Sequence, residues 1–179
     1  METVCKTGDL WQLGEHRLLC GDATKLGDVV MLMQGEKVEM VWTDPPYGMD
    51  LDTDFEAMSS RSNKVKGVKY NKVIGDDKPF KMTDFHYIEC EEQFWWGADY
   101  YHRELPEGGS WFVWDKRIGI IDGAIGNMFE LCWSKTHHRK EVIRILWSGI
   151  TAKERGEKRT HPTQKPIELC SKFVGQFSK

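Results

Sequence analysis

Residues 38–50 read VEMVWTDPPYGMD. A short, apolar, β-branched run fit for a buried strand is broken off by an acid, two prolines, an aromatic ring and a glycine. Both prolines fix φ and neither carries an N–H, so beyond Asp44 the backbone cannot extend a hydrogen-bonded ladder. The break presents the acceptor-only carboxylate of Asp44, the Pro45 carbonyl and the flat ring of Tyr47, while Gly48 lets the chain leave without obstructing them. This set suits a planar group bearing an NH2, such as the exocyclic amine of a nucleobase. Asp44 and the Pro45 carbonyl each accept one hydrogen, which draws electron density onto the nitrogen, and Tyr47 stacks on the plane.

Upstream, HRLLC (16–20) reads as a strand and GDAT as a turn, with Asp22 or Thr24 as the cap of the following helix. KLGDVVMLMQ presents Leu26, Val29, Val30, Leu32 and Met33 at helical spacing. With residues 38–42 this makes a β–α–β unit, which favours a parallel α/β sheet whose ligands lie beyond the carboxyl ends of the strands. The DPPYG stretch falls at such an end.

Downstream, residues 50–81 form a polar stretch too long for a simple connector and too polar for a core, which predicts a segment that is either functional or mobile. A helix is expected over 84–102, kinked near Gly97, followed by a buried strand in SWFVWD. MFELCW and VIRILW, separated by SKTHHRKE, predict a β-hairpin at the sheet edge. The last helix is expected to be capped by Thr163, with Pro166 in its first turn and an apolar face of Ile167, Cys170, Phe173, Val174 and Phe177.

The 179 residues fit one domain, 1–179. Their net charge of -3 hides a strong asymmetry. Residues 1–60 carry four Lys or Arg against twelve acids, 61–81 carry seven against two, and 135–165 carry nine against three. Two basic segments on an acidic body read either as a surface for a polyanionic partner or as two solvated loops. The five cysteines, Cys5, Cys20, Cys90, Cys132 and Cys170, form no C-x-x-C pair, so they are expected to be reduced and mostly buried rather than zinc-bound or disulfide-linked. Neither a leader nor an apolar run of spanning length is found, which predicts no membrane insertion and a cytoplasmic address. The tryptophans Trp95, Trp96, Trp111, Trp114, Trp133 and Trp147 are expected in the core, and His137 and His138 in an exposed turn. His86, His102 and His161 lack metal-ligand spacing, so no metal is expected. Asp76-Asp77 reads either as a metal-binding acid pair or, before Lys78-Pro79, as a turn.

Asp44-Pro45-Pro46-Tyr47 at the end of a strand resembles the signature of DNA amino-methyltransferases, which transfer a methyl group from S-adenosylmethionine to adenine-N6 or cytosine-N4. HPTQKPIEL (161–169) is similar to the segment with which the β-type, circularly permuted members of that family open the helix beside the methyl donor. GDA (21–23), WGADYY (96–101) and FVWDK (112–116) are similar to other family segments, and the resemblance runs from about residue 16 onward. It implies an incomplete Rossmann-like S-adenosylmethionine-dependent methyltransferase sheet flanked by helices, in a partial domain. By the same resemblance Asp44, Pro45, Pro46 and Tyr47 hold a base flipped from double-stranded DNA. Asp22, with Ala23, lies near the donor's adenine, and Thr163, Gln164 and Lys165, opened by His161, lie near its methionine end. The basic part of 50–81 then grips the displaced strand, and the 135–159 region contacts the DNA backbone or groove. The family's glycine-rich donor turn, D-P-F-x-G-S-G, does not occur in the sequence. Three explanations are therefore among the expectations: a truncated gene product, a split enzyme completed by a second chain or segment carrying that loop, or a fragment of a longer sequence.

By the same resemblance, Asp at the first motif position favours adenine-N6 over cytosine-N4, since the family's cytosine enzymes more often place Ser there. Two rivals from other classes stand beside this reading. One is a non-catalytic DNA-binding or interaction module that kept the fold and lost the donor loop, and the other a metal-dependent nuclease using Asp44 with Asp50, Asp52 and Asp54.

Overall fold

The computed structural model describes residues 4–56, 68–118, 127–147 and 160–178. Among these residues the chain is mixed α/β, with a five-stranded mixed sheet, a two-stranded hairpin and two α-helices. The hairpin pairs β1 (Leu10–Leu13) with β2 (His16–Leu19), and the helices are α1 (Leu26–Met33) and α2 (Ile167–Phe177). The main sheet contains β3 (Met40–Thr43), β4 (Glu92–Trp96), β5 (Ser110–Asp115), β6 (Phe129–Ser134) and β7 (Glu141–Arg144), in the order β3-β4-β6-β5-β7. β3 runs parallel to β4 and β7 parallel to β5, while β6 lies antiparallel between β4 and β5. No helix among the described residues is long and apolar enough to cross a membrane.

Several expectations are corrected. The strand at 16–20 does not join β3 in a β–α–β unit; it pairs antiparallel with β1 across a two-residue turn in which Gly14 has φ +64. Arg17 then ties this hairpin to α1, donating from Nη1 to the Leu32 and Met33 carbonyls at 3.0 and 2.7 Å, where the helix end leaves acceptors unpaired. Lys25 occupies the cap position of α1 without a side-chain bond, and Asp22 instead closes a turn on Thr24.

The helix expected over 84–102 is replaced by the strand β4, flanked by 3-10 turns at Met82–Phe85 and His102–Glu104. Gln93, Phe94, Trp95 and Trp96 are buried on both faces of the sheet, so the run has no period-2 alternation and mimics a helix in sequence. Gly97, at φ +67, ends the strand.

MFELCW and the VIRI run form no hairpin. β6 has both edges taken, by β4 and β5, so β7 crosses to the far edge of β5.

At α2 the cap position is Pro166, not Thr163. The buried face runs through Leu169, Phe173 and Phe177, whereas Ile167 and Val174 are exposed. None of the five cysteines is in a disulfide; Cys132 is buried and the others are half-buried.

Strand alternation divides the core in two. Phe94, Trp96, Phe112, Trp114 and Cys132 face α2, where Leu169 and Phe173 complete the layer with Ile143, Ile145 and Trp147. On the other face Trp95, Trp133, Ala98 and Tyr101 are covered by loop residues, among them Phe80, Met82, Phe85 and Tyr47. Five of the six tryptophans expected in the core are buried, and Trp111 is half-buried. Phe173 contacts the rings of Phe94, Trp96 and Phe112 at centroid distances of 5.0 to 5.4 Å, so truncating it to Ala is worth about 3–5 kcal/mol.

Candidate functional site

β3 ends at Thr43, directly before Asp44. The Asp44 side chain is 16% exposed and both oxygens are engaged. The Tyr47 hydroxyl donates to Oδ1, and the Lys165 ammonium donates to Oδ2 at 2.5 Å across 121 residues of sequence. Pro45 is buried, and Pro46 and Tyr47 continue the wall. Asp44, Pro45, Pro46, Tyr47, His161 and Thr163 all line one cavity of about 100 Å³. Val73 and His161 are shared with an adjoining cavity of about 430 Å³.

The loop after β3 is held from a distance. Asp76 Oδ1 accepts the backbone N–H groups of Tyr47, Gly48 and Met49 at 3.0 to 3.1 Å, and Oδ2 accepts that of Leu51 at 2.9 Å. Burial pushes the Asp76 carboxyl up, but these four donors outweigh it and hold the group below the ordinary carboxylate range. Asp76 is thus a loop anchor rather than one of a metal-binding pair. Gly48, at φ +80, faces the backbone of Lys78 and Pro79, where a Cβ would collide.

Tyr47 is clamped. Its ring stacks on Tyr100 at 4.9 Å and 7°, and the backbone of Gly97 packs against it so closely that a Cβ there would overlap the phenol ring. Burial first, and the Asp44 carboxylate second, push the Tyr47 hydroxyl far above its ordinary range, so it acts as a donor. In this structure one aromatic neighbour of Tyr47 is therefore supplied by the protein. Gly97→Ala is expected to destabilise the chain by about 2–4 kcal/mol, from overpacking plus a left-handed backbone without glycine; the shift in denaturant midpoint measures it.

Lys165 lies in the turn before α2, with a side chain 7% exposed. Burial is the largest single influence and disfavours the ammonium, yet Asp44 and Glu130 together outweigh it and raise Lys165 above its ordinary range. Glu130 lies 2.9 Å from Lys165 and 2.7 Å from Lys116; burial pushes its carboxyl up, and the two lysines more than reverse this. The rest of the 160–165 turn is internally braced. Thr163 donates from its backbone N–H to His161 Nδ1 at 3.3 Å, Gln164 Oε1 accepts the Thr160 N–H at 2.8 Å, and Trp147 Nε1 donates to the Gln164 carbonyl at 3.0 Å.

The donor residues expected from the sequence are divided by the structure. His161 and Thr163 reach the cavity, the Gln164 side chain turns back on Thr160, and Lys165 is committed to carboxylates. Asp22 and Ala23 line neither cavity; Asp22 holds Thr24, and the Ala23 carbonyl accepts the Tyr87 hydroxyl.

Of the basic residues expected on DNA, Lys69 pairs with Asp54 at 2.9 Å and Lys72 with Asp50 at 3.4 Å, both at the surface, where such pairs contribute little. Arg61, Lys64 and Lys66 lie outside the described residues, as do Lys153, Arg155, Lys158 and Arg159. His138 is not an exposed turn residue: it is half-buried, bonded to Glu92 at 2.9 Å and packed on Phe94 and Phe177. Among the described residues no group of three His, Cys, Asp or Glu side chains is placed to share a cation.

Set against known proteins, the chain matches no family model, no curated sequence and no solved structure.

The roles of Glu130, Lys116, Asp76, Tyr100 and Gly97 escape a reading of the sequence. For Glu130 a signal exists: a lone acid inside an apolar strand must find a partner when it is buried. For the others the partner is 14 or more residues away, and no local pattern marks it.

Proposed function

We propose that the chain is built as an S-adenosylmethionine-dependent DNA methyltransferase that modifies the exocyclic amine of a flipped base, adenine-N6 in preference to cytosine-N4. The observation that carries this reading is the meeting of two motifs far apart in the chain at the carboxyl end of a strand: Asp44, His161 and Thr163 line one cavity, and Lys165 donates to Asp44 from beside it. The parallel β3–β4 pair, with a cavity-lining loop after β3, supports a Rossmann-like sheet.

The smaller cavity has room for the reacting edge of a base and not for a whole donor. The adjoining cavity of about 430 Å³ lies within the ~300–1,000 Å³ that hold drug-sized ligands, and His161 joins the two. His161 and Thr163 would hold the end of the donor that reaches the smaller cavity. Bound there, the donor would supply an electrophilic methyl group on a sulfonium sulfur; its transfer to the amine nitrogen would break the carbon–sulfur bond and release the nitrogen's proton to solvent. Asp44 and the Pro45 carbonyl accept hydrogens of the amine and orient its lone pair. Tyr47, locked by Tyr100 and Gly97, holds Asp44 through its hydroxyl.

The test is incubation of the chain with methyl-labelled donor and unmethylated bacterial genomic DNA, followed by nucleoside mass spectrometry. N6-methyladenine supports the reading, and N4-methylcytosine moves the target. Binding of the labelled donor is measured in parallel. DNA binding with neither donor binding nor methyl transfer would replace this function by that of a non-catalytic DNA-binding module. Magnesium-dependent cleavage of the DNA would make the chain a nuclease.

A further inference from the structure

We propose that Lys165 is a positioning residue for the Asp44 carboxylate, and that Glu130 and Lys116 behind it set the charge balance on which that positioning depends. The proposal rests on the reading of Asp44 as the acceptor of an amine hydrogen, and it takes Lys165 away from the donor's methionine end.

Four charged side chains form one row. Lys116 contacts Glu130 Oε1 at 2.7 Å, Glu130 Oε2 lies 2.9 Å from Lys165, and Lys165 reaches Asp44 Oδ2 at 2.5 Å. All four are withdrawn from solvent, with side-chain exposures of 16%, 24%, 7% and 16% in that order. The row crosses the fold: Lys116 follows β5, Glu130 sits in β6 opposite Trp114, Lys165 precedes α2 and Asp44 follows β3. It holds two cations and two anions, so it is neutral as a whole.

An ammonium has three hydrogens and no acceptor. Lys165 already serves two carboxylates, and a third anion brought to it would leave this withdrawn cluster with an uncompensated negative charge, which is costly. Lys165 is therefore poorly suited to grasp the carboxylate of a ligand. What it does is pin one oxygen of Asp44 while the Tyr47 hydroxyl pins the other, so the carboxylate plane is fixed at two points. Each oxygen keeps a further lone pair for an incoming N–H. Glu130 prevents two lysines from confronting one carboxylate.

The discriminating pair of variants is Glu130→Gln and the double variant Lys116→Met/Glu130→Gln. The single change leaves two ammonium groups and one carboxylate; the double change leaves the neutral Lys165–Asp44 pair. Expected is a fall in kcat of about tenfold or more for E130Q with KM for DNA and donor within about threefold, and recovery of most of that loss in the double variant. A role confined to packing predicts a double variant no better than the single one, and that result overturns the proposal. The double variant also carries the test if E130Q folds poorly.

A second readout needs no turnover. In 15N NMR of the lysine ammonium groups, Lys165 should give a slowly exchanging signal in the unmodified chain, titrating at lower pH in E130Q and exchanging rapidly in Asp44→Asn. A Lys165 signal indifferent to both changes overturns the proposal. Absence of methyl transfer with these NMR changes intact would strike the functional reading and leave the row of charges standing.

Discussion

Asp44→Ala is expected to abolish methyl transfer, by at least about 100- to 1,000-fold in kcat, the loss that accompanies removal of one preorganised polar partner from a reacting group. Two effects act together. The amine loses the acceptor that orients its lone pair, and the Lys165 ammonium, 7% exposed, is left with Glu130 as its remaining carboxylate partner while Lys116 competes for that acid. The Tyr47 hydroxyl also loses its acceptor. Donor affinity should stay within a few-fold, because His161 and Thr163, braced by each other and by Trp147 and Gln164, do not depend on Asp44. Steady-state rates with labelled donor, paired with calorimetric donor binding, separate the two quantities. Normal turnover in the alanine variant would refute the role given to Asp44. Asp44→Asn, which keeps one oxygen and the shape, should fall between.

The second large effect belongs to Asp76. Its two oxygens accept four N–H groups of a single loop. In Asp76→Ala those donors lose their partner, at roughly 1–3 kcal/mol for each that water does not reach. Because a loop can open without unfolding the sheet, the loss is expected locally. Amide exchange of Tyr47 to Leu51 should quicken about 100-fold, near 3 kcal/mol, with a comparable loss of activity. The pH dependence has a definite sign. The folded-state Asp76 group is held below its unfolded value of about 4, so its contribution is fully present above that pH and is lost as pH falls through the lower, folded value. The protection factors of these amides, with the intrinsic pH dependence of exchange divided out, should therefore fall in acid below pH ~4 in the unmodified chain, and the alanine variant should lack that step.

What can be read from the sequence depends on the range of the forces involved. The strand ending at Asp44 is legible because proline acts on its own residue and neighbour. SWFVWD and the helix after Leu26 are legible because short-range periodicity expresses them. β4 reads as helix because a strand covered on both faces carries no alternation, and Phe94, Trp95 and Trp96 look the same on paper as a buried helical turn. β7 is misassigned because adjacency in sequence suggests a hairpin, whereas the two edges of β6 are already claimed by β4 and β5. At the site, Asp44, Tyr47, His161 and Thr163 stand out through their motifs. Glu130 and Lys116 do not, because their role is set by register, which puts Glu130 opposite Trp114 and just short of Lys116.

The strand order has a kinetic consequence. None of the pairings in the five-stranded sheet joins neighbours along the chain by a tight turn: the shortest closes Asp115 on Phe129, and the β3–β4 ladder waits for Thr43 to find Trp95. Each ladder must bear loop-closure entropy before its contacts reward it, which slows the search. The β5–β6 pair is the natural nucleus, and β3, with the loop carrying Asp44, is the element expected to dock last.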